Sequence, residues 1–157
     1  MQPEIGISAK NLQNVIKLLS VNLANEVTLY TKTRNFHWNV SGNSFMELHV
    51  LFENQYKQLE EAIDKVAERI GKLGGKSIGT MQEFLELKTL KEYPNVYPNQ
   101  KEMTKELLNN HETIIMRLRE DVDLCSETYK DAVTTDFLIG LMEQHETIAW
   151  TLRRYLE

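Results

Sequence analysis

Two histidines and three carboxylates in the first half of the chain have the types and spacing that metal chemistry needs: His37, His49, Glu53, Asp64 and Glu68. On a helix turning about 100° per residue, with His49 at zero, Glu53 falls near 40°, Glu60 near 20°, Asp64 near 60° and Glu68 near 100°. The last four share one face with His49. An arbitrary charged run on a helix is ordinarily a solvated face. Two features set this one apart. Glu60, Asp64 and Glu68 stand at successive i,i+4 steps, where like charges repel by about 0.2–0.5 kcal/mol per pair, so a cation or a partner is expected there. Glu53 and Asp64 also lie roughly 16 Å apart along the helix, too far to share one metal within a subunit.

A second copy of this helix, antiparallel across a two-fold axis between residues 58 and 59, closes that gap. An isologous contact then sets His49 opposite Glu68 and Glu53 opposite Asp64. The register is chosen to make these ligands meet. Its independent support is Lys57 facing Glu60, an ion pair made twice, and Met46 facing Gly71, large against small. His37 joins by another route. A turn centred near residue 43 folds one helix back on the next, which brings His37 beside His49. One site then collects His37, His49 and Glu53 from one subunit with Asp64 and Glu68 from the other. Either histidine alone reads as a core or helix-terminal residue. With the acids they form a mixed nitrogen and oxygen donor set that suits iron better than calcium or thiolate-bound zinc.

The elements that must position these residues are long helices. Prolines occur only at 3, 94 and 98, so the stretches from Ser8 to about Gly75 and from Gln100 to the end can be helical throughout. Ser8 is a plausible N-cap, and Leu12, Val15, Ile16, Leu19, Leu23, Val27 and Tyr30 recur at helical spacing up to about His37. SGNS at 41–44 is a turn. Phe45, Leu48, Phe52, Leu59, Ile63, Val66, Ile70 and Leu73 then form an apolar stripe that stops at Gly74-Gly75. A short amphipathic piece from Thr80 to Leu87 and the turn-rich YPNVYPNQ segment lead to helices from about Gln100 to Thr128 and Thr134 to Tyr155. No stretch alternates with a strand's period of two. The expectation is a single all-α domain over residues 1–157, a four-helix bundle with a short extra helix between its second and third long helices.

Composition agrees with one globular domain: 157 residues, 41% hydrophobic and 26% charged. The lone cysteine, Cys125, allows no internal disulfide and points to a reducing cytosol, as a buried small hydrophobe rather than a reactive thiol. MQPEIGISAK lacks the basic and apolar regions of a secretory leader, and no apolar run approaches the roughly 20 residues that span a bilayer. A net charge of −5 disfavours a surface that wraps phosphate backbone.

The stretches TKTRNFHWNVSGNSFMELHVLFE, EEAIDKVAERIGKLGG and TTDFLIGLMEQHETIAWTLRRYLE resemble the Dps family (DNA protection during starvation), the mini-ferritin branch of the ferritin superfamily, over nearly the whole chain. The resemblance implies a ferritin-like bundle assembled into a hollow dodecamer in the bacterial cytoplasm, with nucleoid association in some members. It implies ferroxidase sites at two-fold interfaces, each holding two irons or substitute divalent metals, with ligands corresponding to His37, His49, Glu53, Asp64 and Glu68. An aspartate is frequent where this chain has Glu53. The short helix at the family's dimer interface matches Thr80 to Leu87. Trp38 would sit near the iron and absorb stray oxidising equivalents, against the plainer role of packing the end of its helix. Acids near the start of the last helix, corresponding to Glu127, Asp131 and Asp136, would line an iron-uptake pore, although Ala132 replaces one of them. Their plainer role is as loop and first-turn acids that complement the helix dipole.

Larger ferritins hold a di-iron centre inside one bundle through Glu-x-x-His motifs, and none occurs here. HETIA at 145–149 has Ala149 where a zinc protease needs its second histidine, and GGKS at 74–77 has Ile70 where a phosphate loop needs its first glycine. Both are coincidences. The expected function is therefore oxidation of Fe(II), with hydrogen peroxide favoured over oxygen, followed by storage of ferric mineral. The rival reading is a DNA-coating structural protein. Against it, DNA-binding members often carry a lysine-rich tail, and the first ten residues here contain only Lys10. DNA binding is expected to be weak or absent.

Overall fold

The computed structural model describes residues 3–157, so Met1 and Gln2 of the opening stretch lie outside it. Its helices are α1 (Ala9–Asn39), α2 (Phe45–Lys72), α3 (Met81–Leu87), α4 (Gln100–Asp123) and α5 (Ala132–Leu156), with a π-helical turn at Leu124–Thr128. No strand occurs among the described residues. The all-α bundle with its short extra helix is as the sequence implies. No helix is long and apolar enough to cross a membrane.

Each start has a local cause. Ser8 accepts a hydrogen bond from the Asn11 amide at 3.2 Å. Thr80 and Asn99 form capping boxes with Glu83 and Glu102, which satisfy orphan donors reciprocally. α2 stops at Gly74, whose φ of +82° is a left-handed conformation that suits glycine, while the Gly75 amide reaches back to the Ile70 carbonyl at 3.0 Å. The α1–α2 turn uses Gly42 at φ +114°. There Gln100 Oε1 accepts from the Ser44 amide at 3.2 Å, which ties the turn to the start of α4.

α1 packs on α2, and α4 on α5, as two antiparallel hairpins. Leu19, Leu23, Leu29, Phe52, Leu59, Ile70, Leu107, Ile114, Leu118 and Leu138 fill the space between them, each out of contact with solvent. This shared core holds the two pairs together. The long α3–α4 crossover is fixed to α1 by polar contacts. Asn25 Oδ1 accepts from the amides of Thr89 (2.8 Å) and Leu90 (3.2 Å), and Lys32 Nζ donates to the Lys91 carbonyl, Glu106 and Asn110 at 2.6–2.8 Å.

The bundle's last corner differs from the sequence reading. α5 begins at Ala132, two residues before Thr134, and the segment from 124 to 128 is a π turn rather than α-helix. The Tyr129 amide bonds the Leu124 carbonyl and the Asp131 amide bonds the Cys125 carbonyl, both at 2.9 Å, and Lys130 takes φ +57° between them. Cys125 is buried there, with its thiol pushed up to about 12 by desolvation and then by Asp131 and Asp121. As expected from its type, it is an inert small hydrophobe.

Candidate metal centre

His37 ends α1 and His49 begins α2, and the Gly42 turn stacks them face to face, ring centroids 3.8 Å apart and planes 21° apart. Each Nδ1 lies against the other residue's backbone carbonyl: His37 Nδ1 is 2.8 Å from the His49 oxygen, and His49 Nδ1 is 2.9 Å from that of His37. A carbonyl can only accept, so each Nδ1 carries the proton and donates. Nε2 is thereby the ring nitrogen of each that is left to ligate a metal. This is the second-shell arrangement that fixes tautomer and ring orientation in metal-ligating histidines. Tyr56 stands edge-on to His37 at 5.3 Å and Phe45 lies 5.1 Å from His49, so aromatic walls confine the pair.

Glu53 is one turn beyond His49 on α2. Its carboxyl is held below the usual glutamate range by the hydrogen bond and charge of Lys57, whose Nζ is 2.6 Å from Oε1, and to a lesser extent by His37 and His49. Asp64 and Glu68 lie farther along α2 on the exposed surface, where Glu68 pairs with Lys72 at 3.1 Å. The structure thus brings His37, His49 and Glu53 to one end of the helix and leaves Asp64 and Glu68 away from them. Among the described residues of one subunit, no three His, Cys, Asp or Glu side chains converge as a metal site. Lys57 and Lys72 supply part of the positive charge that the acidic face calls for. Within the one subunit described, Lys57 pairs with Glu53 of its own chain. Both lysines are more than half exposed, so displacing them costs little.

Trp38 is 64% exposed with the Arg34 guanidinium 5.4 Å from its ring, so it does not pack the end of α1 in the core. Glu127 and Asp136 are exposed near the π turn and on the first turns of α5. Asp131 is a correction to the pore reading. It is 2% exposed and is the N-cap of α5, accepting from the Thr134 amide at 3.0 Å, and its two oxygens take Arg69 Nη2 at 3.1 and 3.2 Å. Because α5 starts earlier than its apolar pattern suggests, a residue taken for a loop acid is committed inside the subunit.

The sequence reading did not single out Tyr56, Phe45 or the reciprocal carbonyl contacts. It also passed over three buried groups, Glu26, His111 and His145. Glu26 continues the stripe Leu19, Leu23 at helical spacing, and a charge at a core position was the available signal.

The ferritin-like domain family matches residues 16–157. A low-temperature-induced, uncharacterized protein of Nostoc is 45% identical over 153 residues, covering 98% of this chain and 86% of its own. DNA protection during starvation protein 2 of Bacillus anthracis is 34% identical, covering 92% of this chain and 97% of its own. The Dps crystal structure from Vibrio cholerae, described as a member of a broad superfamily of ferritin-like diiron-carboxylate proteins, superposes with a TM-score of 0.92 at 27% identity, covering 99% of this chain and 97% of its own. A match over nearly the whole bundle, in sequence and in three dimensions, leaves one assignment: the chain belongs to the ferritin-like family and, within it, to the Dps mini-ferritins.

Proposed function

We propose that this mini-ferritin is a ferroxidase that oxidises Fe(II), preferentially with hydrogen peroxide, at sites shared between two subunits, and stores the ferric product in a twelve-subunit shell in the cytoplasm. The observation that carries the reading is the His37–His49 clasp, in which each Nδ1 is held by a backbone carbonyl and Nε2 is the ring nitrogen left to ligate, beside Glu53 on the helix face that also bears Asp64 and Glu68. Iron storage and protection from oxidative damage are the general business of the family, and the carboxylate and imidazole donors suit Fe(II) as substrate.

Two ferrous ions each give up one electron to one peroxide. The O–O bond breaks, and hydrolysis of the ferric ions yields ferric oxyhydroxide and protons. The carboxylates offset the rising charge on the metal and favour the ferric product, while the neutral imidazoles hold the substrate exchangeably. Glu53, released from Lys57, and the partner copy's Asp64 and Glu68 complete the donor set. Glu127 and Asp136, without Asp131, are the acids available to an uptake pore, and exposed Trp38 is placed to be oxidised by equivalents that escape. Other divalent ions with similar preferences compete for the site.

Anaerobic addition of Fe(II) to the assembled, metal-free protein, followed by peroxide and then by oxygen in a parallel run, tests this reading. Ferric absorbance should rise faster with peroxide and saturate at two irons per site. No ferric absorbance above the protein-free rate with either oxidant would refute it.

DNA binding is expected to be weak or absent. Each subunit adds a net charge of −5, so the assembly repels the phosphate backbone that lysines and arginines would have to reach. A gel-shift titration of metal-free protein at about 0.15 M salt should leave plasmid DNA unshifted. Retardation by sub-micromolar protein would show a basic patch that the net charge conceals and would favour the DNA-coating role.

A further inference from the structure

Three ionisable side chains form a continuous chain through the middle of the bundle. His145 on α5 places Nε2 2.8 Å from Glu26 Oε1 on α1 and Nδ1 2.8 Å from His111 Nδ1 on α4. The three residues are 1%, 1% and 0% exposed. Among the described residues, His111 Nε2 and Glu26 Oε2 have no hydrogen-bond partner. On α2, Gln55 is buried with both amide atoms unpartnered. It stands at the level of His111, since Tyr30 meets Tyr56 and Lys32 meets Asn110. All four long helices therefore place a polar group in this layer of the core, where an unpartnered polar atom costs far more than leucine would.

The hydrogen-bond geometry dictates the protons. Two imidazole nitrogens 2.8 Å apart need one hydrogen between them, and a carboxylate beside an imidazole nitrogen needs another. The neutral arrangement places one proton between Glu26 and His145, one from His145 Nδ1 to the His111 Nδ1 lone pair, and one on His111 Nε2. A fourth proton can enter at the free Oε2 of Glu26, which leaves the His111–His145 bond intact, or at the accepting Nδ1 of His111. At His111 it would set two N–H groups against each other and bury an uncompensated charge.

We propose that the Glu26–His145–His111 chain is an acid-operated release built into each bundle: proton uptake at His111 breaks its bond to His145 and loosens the packing of α4 against α5 and α1. Among the described residues, His111 has His145 as its side-chain hydrogen-bond partner and no carboxylate in direct contact. On α1 the buried charged groups are Glu26, which reaches His145, and Lys32, which is held by Glu106 of α4 and by Asn110. α2 offers the neutral Gln55, and α5 offers His145. Burial, and secondarily the charge of His145, hold the His111 imidazole well below its ordinary value of 6.5. The sign follows. Above about pH 6.5 neither the folded nor the unfolded chain protonates this histidine, and its contribution to stability is fully present. As pH falls below that value the unfolded chain takes up the proton and the folded chain resists it. Stability is then lost at a rate of about tenfold in the unfolding constant per pH unit, until the folded ring itself protonates.

The test is urea unfolding of the assembled protein at fixed concentration, followed by helical circular dichroism at about pH 7.5, 6.5 and 5.5, for wild type and His111→Gln. The glutamine oxygen still accepts from His145 Nδ1 but does not titrate. Every other ionisable group is common to both proteins, so its contribution cancels. Between about pH 7.5 and 5.5 the wild-type unfolding constant should rise about tenfold more than that of the variant. Equal pH dependence would overturn the proposal. If the variant does not assemble, histidine C2-hydrogen exchange read by mass spectrometry on the wild type decides instead. The His111 inflection should fall well below the ordinary histidine value, together with loosening of the bundle, and an inflection near the ordinary value in the intact shell would overturn the proposal.

Discussion

Asp64→Ala with Glu68→Ala should slow peroxide-driven iron oxidation by about a hundredfold or more. Loss of mere outer-shell partners at metal sites already costs about 10–100-fold, and these residues are proposed as direct ligands. Nothing in a single subunit foretells so large an effect. The two acids lie away from the His37–His49 clasp, are exposed, and have only Lys72 as a close charged partner. Within one chain they are the solvated helix face of the plainest reading, and their removal would change the rate little. Stopped-flow ferric absorbance on assembled protein, with helical content and shell size checked, distinguishes the outcomes. A loss below about threefold would place these acids outside the site.

Asp131→Ala should be the most destabilising single substitution among the acids near α5. It removes the N-cap of that helix and leaves Arg69, whose side chain is 12% exposed, without its carboxylate. Breaking a buried pair by deleting one partner costs about 3–5 kcal/mol, because the remaining charge stays desolvated. For a subunit of this length that corresponds to a fall of about 10 °C in melting temperature at fixed protein concentration. Asp131→Asn keeps an N-cap acceptor and should lose less. A fall of only a degree or two for Asp131→Ala, with slowed iron uptake, would return Asp131 to the pore from which its burial removes it.

These two acids show how far the sequence could be read. Prolines, glycine stops and helical periodicity were enough to place the long helices, and the amphipathic pattern from Thr80 to Leu87 the short one. The ligand face of α2 was legible because helical geometry converts spacing directly into angle. What escaped depends on side chains meeting across elements. Asp131 read as a loop acid because the apolar period of α5 does not extend to its true start, and only the Thr134 amide and Arg69 reveal the cap. The clasp between His37 and His49 is made by ring nitrogens and carbonyls on opposite sides of a turn, a relation that residue spacing suggests without showing. Periodicity puts Glu26 on the core stripe of α1, but spacing within one helix does not show that His145 and His111 from two other helices would meet it there. The three bond one another inside.

The central claim is that one metal centre is built from two chains, and mixing complementary mutants tests it most directly. Subunits carrying His37→Ala and His49→Ala are unfolded and co-assembled with subunits carrying Asp64→Ala and Glu68→Ala, and mixed dimers are confirmed by mass spectrometry. Each parent alone should oxidise Fe(II) slowly. In a mixed dimer one of the two interfacial sites regains both histidines, Glu53 and both partner acids, so the mixed assembly should recover a substantial fraction of wild-type activity. Verified mixed dimers that stay as slow as their parents would contradict the shared centre.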